Sequence, residues 1–189
     1  MLATFIILWI ACLCTIDFLW LFYYESYWGA IASTFSLFAS FKSVQKPMVW
    51  QQTAIVASEI SLSLNFCMTI LFWGIVAPLI FTDQLEWHGV DLFLRVQLTL
   101  LHSLPLIFTF ANVALTDMTF LKADWKILLA TGLSYIFANC LGTLALGHPL
   151  YPHLDWQDPV QTLSIFIFKA ALMSSLHLLC SWLTQKRRN

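Results

Sequence analysis

The side chains best able to do chemistry in an apolar setting are Asp17, Thr34, His102, Asn139 and Lys169, one from each of five apolar runs. A polar or ionisable group in hydrocarbon costs about 2.5 kcal/mol or more, so each needs a partner or a task. Counted from the acidic end of each run at about 1.5 Å of rise per residue, they lie roughly 9, 12, 9, 12 and 13 Å deep, in that order. Five groups in one layer are what a polar pocket opening toward the acidic face gives, because inward-facing polar groups converge to satisfy one another. Asp17 and Lys169 are equally compatible with a buried ion pair that fixes helix packing. Imidazole exchanges a proton near neutral pH, and a hydroxyl within its reach becomes a usable nucleophile. Thr34 offers that hydroxyl at the depth of His102, although a helical threonine also bonds its own backbone.

Other chemistries have weaker support. His148 and His153 flank a loop, but neither cysteine nor an HExxH-type spacing accompanies them, so they read as interfacial polar residues rather than metal ligands. His177 lies away from the layer, toward the opposite face, and Glu59 opens an apolar run there. Gly132 and Gly142, with Ala138, Ala145 and Gly147, suit close helix packing. Cys12, Cys14, Cys67, Cys140 and Cys180 all fall inside apolar runs and form no CxxC pair. The sequence has no P-loop, dinucleotide fingerprint or GxSxG elbow.

The elements that carry these residues follow from composition. Of 189 residues, 60% are apolar and 10% charged, with 16 Phe, 9 Trp and a mean hydropathy of +0.79. That leaves too little polar surface for a water-exposed globule, so lipid must solvate most of the chain. A net charge of −1 excludes the basic field that a nucleic-acid partner requires. Six apolar spans are predicted, at residues 3–23, 26–42, 58–81, 96–116, 126–147 and 160–183, making one all-α, six-helix transmembrane domain over 1–189. The second is diluted by Ser33, Thr34, Ser36 and Ser40.

Charge supports the count. Lys42, Lys46, Lys122, Lys126, Lys186, Arg187 and Arg188 fall on one side, whereas Arg95 is on the other and Lys169 is inside a span. Both termini are therefore expected on the positive, cytoplasmic or matrix side. Glu25, Asp83, Glu86, Asp91, Asp155 and Asp158 make the opposite side acidic. The opening residues lack a basic n-region and an obvious cleavage site, so the first span reads as retained. Residues 82–95 suit an amphipathic interfacial segment, and residues 148–159 a Pro-punctuated turn with Tyr151 and Trp156 in the headgroup layer.

The run LLHSLPLIFTFANV, the run ILLATGLSYIFANCLGTLALGHPLYPHLDW with its Tyr151-Pro152-His153-Leu154 element, Thr34-Phe35 after Trp28, and Phe72-Trp73 together carry a family likeness. The chain resembles the androgen-induced-gene family of six-helix membrane proteins, whose characterised members are threonine hydrolases of fatty acid esters of hydroxy fatty acids. The resemblance implies Thr34 as nucleophile and His102 as general base. Ser33 or Ser36 takes that place in a shifted register, and Asn112 stands where some relatives carry an acid. It further implies a lipid ester entering from the bilayer, an acyl-enzyme hydrolysed by water from the acidic side, and no metal or other cofactor. Asp17, Asn139 and Lys169 are the supporting polar layer, with Lys169 or Asn139 at the oxyanion and Asp17 orienting the imidazole. Membrane lipids are the expected partners, and the family implies an endomembrane or plasma-membrane location. The alternative is a protein that has lost activity and serves as an accessory or scaffold subunit of a larger membrane complex, such as a respiratory assembly of the mitochondrial inner membrane. A transporter or proton path through Asp17, His102 and Lys169 is disfavoured by the lack of repeated halves.

Overall fold

A computed structural model describes residues 23–81, 89–151 and 154–188. The expected first span with Asp17, Cys12 and Cys14, and the residues Asp83, Glu86, Pro152 and His153, lie outside the described residues. The rest is all-α. The helices are α1 (Glu25–Gln45), α2 (Pro47–Leu71), α3 (Ala77–Phe81), α4 (Gly89–Leu115), α5 (Trp125–Leu146) and α6 (Pro159–Arg188). A π-helical turn, Phe72–Val76, joins α2 to α3, so the described residues form five helical rods. Four of these are long and apolar enough to cross a membrane: Pro47–Val76, Asp91–Leu115, Lys122–Leu146 and Pro159–Arg187.

Helix boundaries moved outward from the hydropathy limits wherever polar residues begin a helix. The rod expected from residue 58 starts at Pro47, eleven residues earlier, because Pro suits the first helical turn and bars the preceding residue from helical geometry. Lys46, at φ −140° and ψ 72°, is thus the whole connection between α1 and α2. Residues 89–95, expected as part of an interfacial segment, are the first two turns of α4. Gly147 closes α5 at φ 73°, a left-handed conformation in which its N–H reaches the Thr143 carbonyl.

The seam between α1 and α2 is polar, whereas the outer surface is largely apolar. On α1 the outward positions Ile31, Phe35, Phe38 and Phe41 are apolar and exposed, while Ser26, Ser33, Ser36 and Ser40 are buried. Ser33 and Ser36 meet an antiparallel stripe on α2. Ser36 Oγ lies 2.8 Å from Ser58 Oγ, Ser33 Oγ lies 2.8 Å from Ser61 Oγ, and the Asn65 amide donates to the Gly29 carbonyl at 3.0 Å. Helix α4 joins the seam through Thr109 Oγ1, 3.0 Å from Ser33 Oγ and 2.7 Å from Ser61 Oγ, and through Asn112 Nδ2, which donates to Ser40 Oγ at 2.8 Å. Such bonds contribute about 0.6 kcal/mol each in a membrane, but small side chains also bring the backbones close. Helix α2 is the central rod, with 72% of its most apolar stretch buried against 22% for each of the other three spans. Outer residues such as Ile107, Phe110, Leu133, Phe137, Leu144 and Ile167 are exposed apolar surface suited to acyl chains.

The tightest point of the seam is Gly29, where an added Cβ would stand 2.4 Å from Asn65 Oδ1. Gly29→Ala must therefore displace an amide that also holds Ser33 and the Ser61 carbonyl. A loss of about 1–3 kcal/mol is expected, measured as a lower thermal midpoint in detergent. Gly142, against Tyr23 and Leu150, is similarly confined, whereas Gly132 meets nothing within 4 Å. Of the two glycines expected at close contacts on α5, only Gly142 makes one.

Candidate functional site

The site forms where the first turn of α1 meets α4 and α6. Successive helical residues diverge by about 100°, so Glu25 and Ser26 address different neighbours. Ser26 faces α4, where its Oγ lies 3.0 Å from His102 Nε2. Glu25 pairs with Lys169 of α6, which is 4% exposed. The Lys169 ammonium also lies 5.0 Å from the centre of the Tyr135 ring and 5.6 Å from that of Phe166, a cation–π setting for a charge inside the bundle.

His102 is held from three directions. Its Nδ1 lies 2.8 Å from the Leu98 carbonyl oxygen, which can only accept, so Nδ1 carries the proton. In the neutral ring Nε2 is then an acceptor, and the Ser26 hydroxyl donates to it. Phe72 stacks on the imidazole at 3.8 Å between centres and 7° between planes. Thr69 Oγ1 donates to the His102 carbonyl at 2.7 Å, and Trp73 Nε1 to Ser103 Oγ at 3.2 Å. Phe72 and Trp73 open the π-helical turn, the kind of local widening that recurs at functional sites.

Thr34 stands elsewhere. Its hydroxyl donates to the Ala30 carbonyl at 2.9 Å. It lies eight residues beyond Ser26 on the same helix, about 12 Å along the axis. Ser33 and Ser36 are fully buried in the seam, bonded to Ser61, Thr109 and the Pro105 carbonyl in one case and to Ser58 in the other. Asn139, also fully buried, accepts from Trp156 Nε1 at 2.9 Å and leans on Tyr135 Oη at 3.4 Å. Of the expected layer, His102 pairs with Ser26, Lys169 with Glu25, and Asn139 with Trp156 and Tyr135, partners that were not among its members. Asp17 lies outside the described residues.

Tyr151 and Trp156 turn toward the bundle and are half-buried, bonded to Glu25 and Asn139. Tyr151 Oη accepts the Glu25 N–H at 3.1 Å and is hydrogen-bonded to the side chains of Ser26 and Tyr135. Burial chiefly, then the Glu25 charge, pushes its phenol above the usual tyrosine range, while the bonds from the Glu25 N–H and Tyr135 oppose that rise. An acid whose folded pKa is raised keeps its proton where the unfolded chain would lose it. Its contribution to stability is therefore complete below pH about 10 and lost as pH climbs above that value. Tyr151→Phe is expected to remove a late-ionising component from the phenolate absorbance titration and to flatten the alkaline loss of stability.

The glutamate and tyrosines carry a signal that polar counting inside spans overlooks. Glu25 and Ser26 sit at a span edge and Tyr151 in a loop, so each passes as interfacial until the fold brings them inward. At the opposite end, His177 Nε2 lies 3.0 Å from the Leu121 carbonyl oxygen and Glu59 Oε1 accepts the Leu121 N–H at 2.9 Å, which fastens the α4–α5 connection. His148 Nδ1 lies 3.2 Å from the Pro149 carbonyl oxygen. Among the described residues, no group of three His, Cys, Asp or Glu side chains is placed to hold a metal ion. No protein-family model, curated protein or solved structure matches the chain.

Proposed function

We propose that the chain is an intramembrane hydrolase of lipid esters, with Ser26 as nucleophile and His102 as general base. The observation that carries this reading is the 3.0 Å contact between Ser26 Oγ and His102 Nε2, with Nδ1–H anchored on Leu98. As Ser26 Oγ attacks the ester carbonyl, His102 takes its proton and then returns it to the departing alkoxide. Water attacks the resulting acyl-serine with His102 again as base, releasing the acid and restoring the hydroxyl. Tyr151, beside Ser26, is placed to donate to the developing oxyanion, and the first turn of α1 adds backbone N–H groups of the favourable sign.

This reading keeps the reaction class implied by the resemblance to the androgen-induced-gene family and fatty acid esters of hydroxy fatty acids as the substrate class, but transfers the nucleophile from Thr34 to Ser26. It takes the chain as six spans with both termini on the positive side, in an endomembrane or plasma membrane. Helix α1 counts as a span because its hydroxyls face the seam and its apolar stripe faces out. The alternative is a non-catalytic accessory subunit of a membrane complex. It draws on the near-complete burial of Ser26 and His102, for which a packing bond is a sufficient role. Purified protein in micelles, incubated with a fatty acid ester of a hydroxy fatty acid, separates the two readings. Release of free acid that disappears in His102→Ala supports the hydrolase, and no release above the buffer rate overturns it.

A further inference from the structure

A cavity of about 220 Å³ lies between α5 and α6. Leu129, Gly132 and Leu133 of α5 and Ile167 of α6 form part of its wall, and Glu25 and Lys169 also line it. The wall is otherwise almost wholly apolar, and Leu129, Leu133 and Ile167 are 44%, 57% and 70% exposed, so the cavity borders the lipid-facing surface. Its size exceeds the ~150 Å³ that suffices to hold a benzene ring in a protein interior.

We infer that this cavity takes the acyl chain of a lipid ester, with the neutral ester carbonyl accepting a hydrogen bond from Lys169, and that Glu25 keeps a carboxylate from taking the place of that carbonyl. The inference rests on the hydrolase reading for its substrate class and adds where the acyl chain lies and why product leaves. An ammonium has three N–H donors, and Glu25 takes one. A neutral carbonyl can accept another without disturbing the pair. A free carboxylate would set a second negative charge beside Glu25, where low dielectric magnifies repulsion. Glu25 lines the cavity and the next residue, Ser26, faces α4, so the anchoring position and the hydroxyl–imidazole pair lie on different sides of the same turn of α1. Hydrolysis turns a tolerated neutral group into an excluded anion.

The test uses the full chain in detergent micelles carrying His102→Ala, so that no turnover is needed, and a photoreactive diazirine-bearing fatty acyl methyl ester. Crosslinks are expected within residues 128–136 and 163–174. Methyl palmitate should compete at least tenfold better than palmitate. Adding Gly132→Phe places a ring in open space within the cavity wall and should cut crosslinking at least tenfold with the fold intact. Adding Glu25→Gln should erase the tenfold preference for ester over acid. Crosslinking unchanged by Gly132→Phe, or equal competition by palmitate and its methyl ester, overturns the inference. Binding that behaves as expected in a protein whose unmodified form releases no acid would leave this site standing and remove the hydrolase reading.

Discussion

His102→Ala and Ser26→Ala are each expected to lower lipid-ester turnover by about 10²–10⁴-fold, the usual contribution of a positioned base and its nucleophile. Labelling by a serine-directed activity probe should vanish in Ser26→Ala and nearly vanish in His102→Ala. Thr34→Ala should leave both readouts unchanged, because the Thr34 hydroxyl is bonded to its own helix rather than to the imidazole. Ser26→Thr offers a finer check, since it keeps the hydroxyl but adds a methyl group at a position only 6% exposed. Partial activity there would point to a hydroxyl chemistry rather than a packing role. Equal labelling of the unmodified protein, Ser26→Ala and His102→Ala would exclude the pair as catalytic machinery.

The second large effect belongs to the ion pair. Lys169→Met leaves the Glu25 carboxylate buried without its cation, and removing one partner of a buried pair costs about 3–5 kcal/mol. Thermal unfolding in detergent should show a clear drop for Lys169→Met, with a comparable drop for Glu25→Ala. The double variant Glu25→Ala/Lys169→Met should regain much of the loss, because two apolar groups carry no desolvation penalty. That non-additivity is the signature of direct coupling. If both single variants melt with the unmodified protein, the pair does not stabilise the bundle.

Hydropathy and charge were enough to locate the four long apolar rods, and the buried positions of α6, Thr162, Phe166, Lys169, Met173, His177 and Ser181, follow the spacing that a single inward face demands. Depth along each run was a poorer guide. Helix α4 begins at Gly89 and not near residue 96, and α1 begins at Glu25, so equal distances from hydropathy boundaries did not mean equal heights in the bundle. Thr34 and His102 therefore shared a calculated layer while Ser26 occupied the actual one. The partner of Lys169 was also hidden, because Glu25 looks like an interfacial acid in the linear chain and becomes internal only when the first turn of α1 meets Lys169. Types of residue were legible, but pairings depended on helix register, which interdigitation of small side chains sets.

The serine-lined seam inverts the usual relation between greasiness and fragility. On the outer faces of α4, α5 and α6, one large aliphatic residue can replace another because fluid lipid conforms to either shape. At Gly29, Ser33 and Ser58, a gain of one or two carbons separates rods that touch through their backbones. Inherited or engineered damage to this protein should therefore concentrate at its smallest residues, where a change that looks conservative by hydrophobicity is severe by volume.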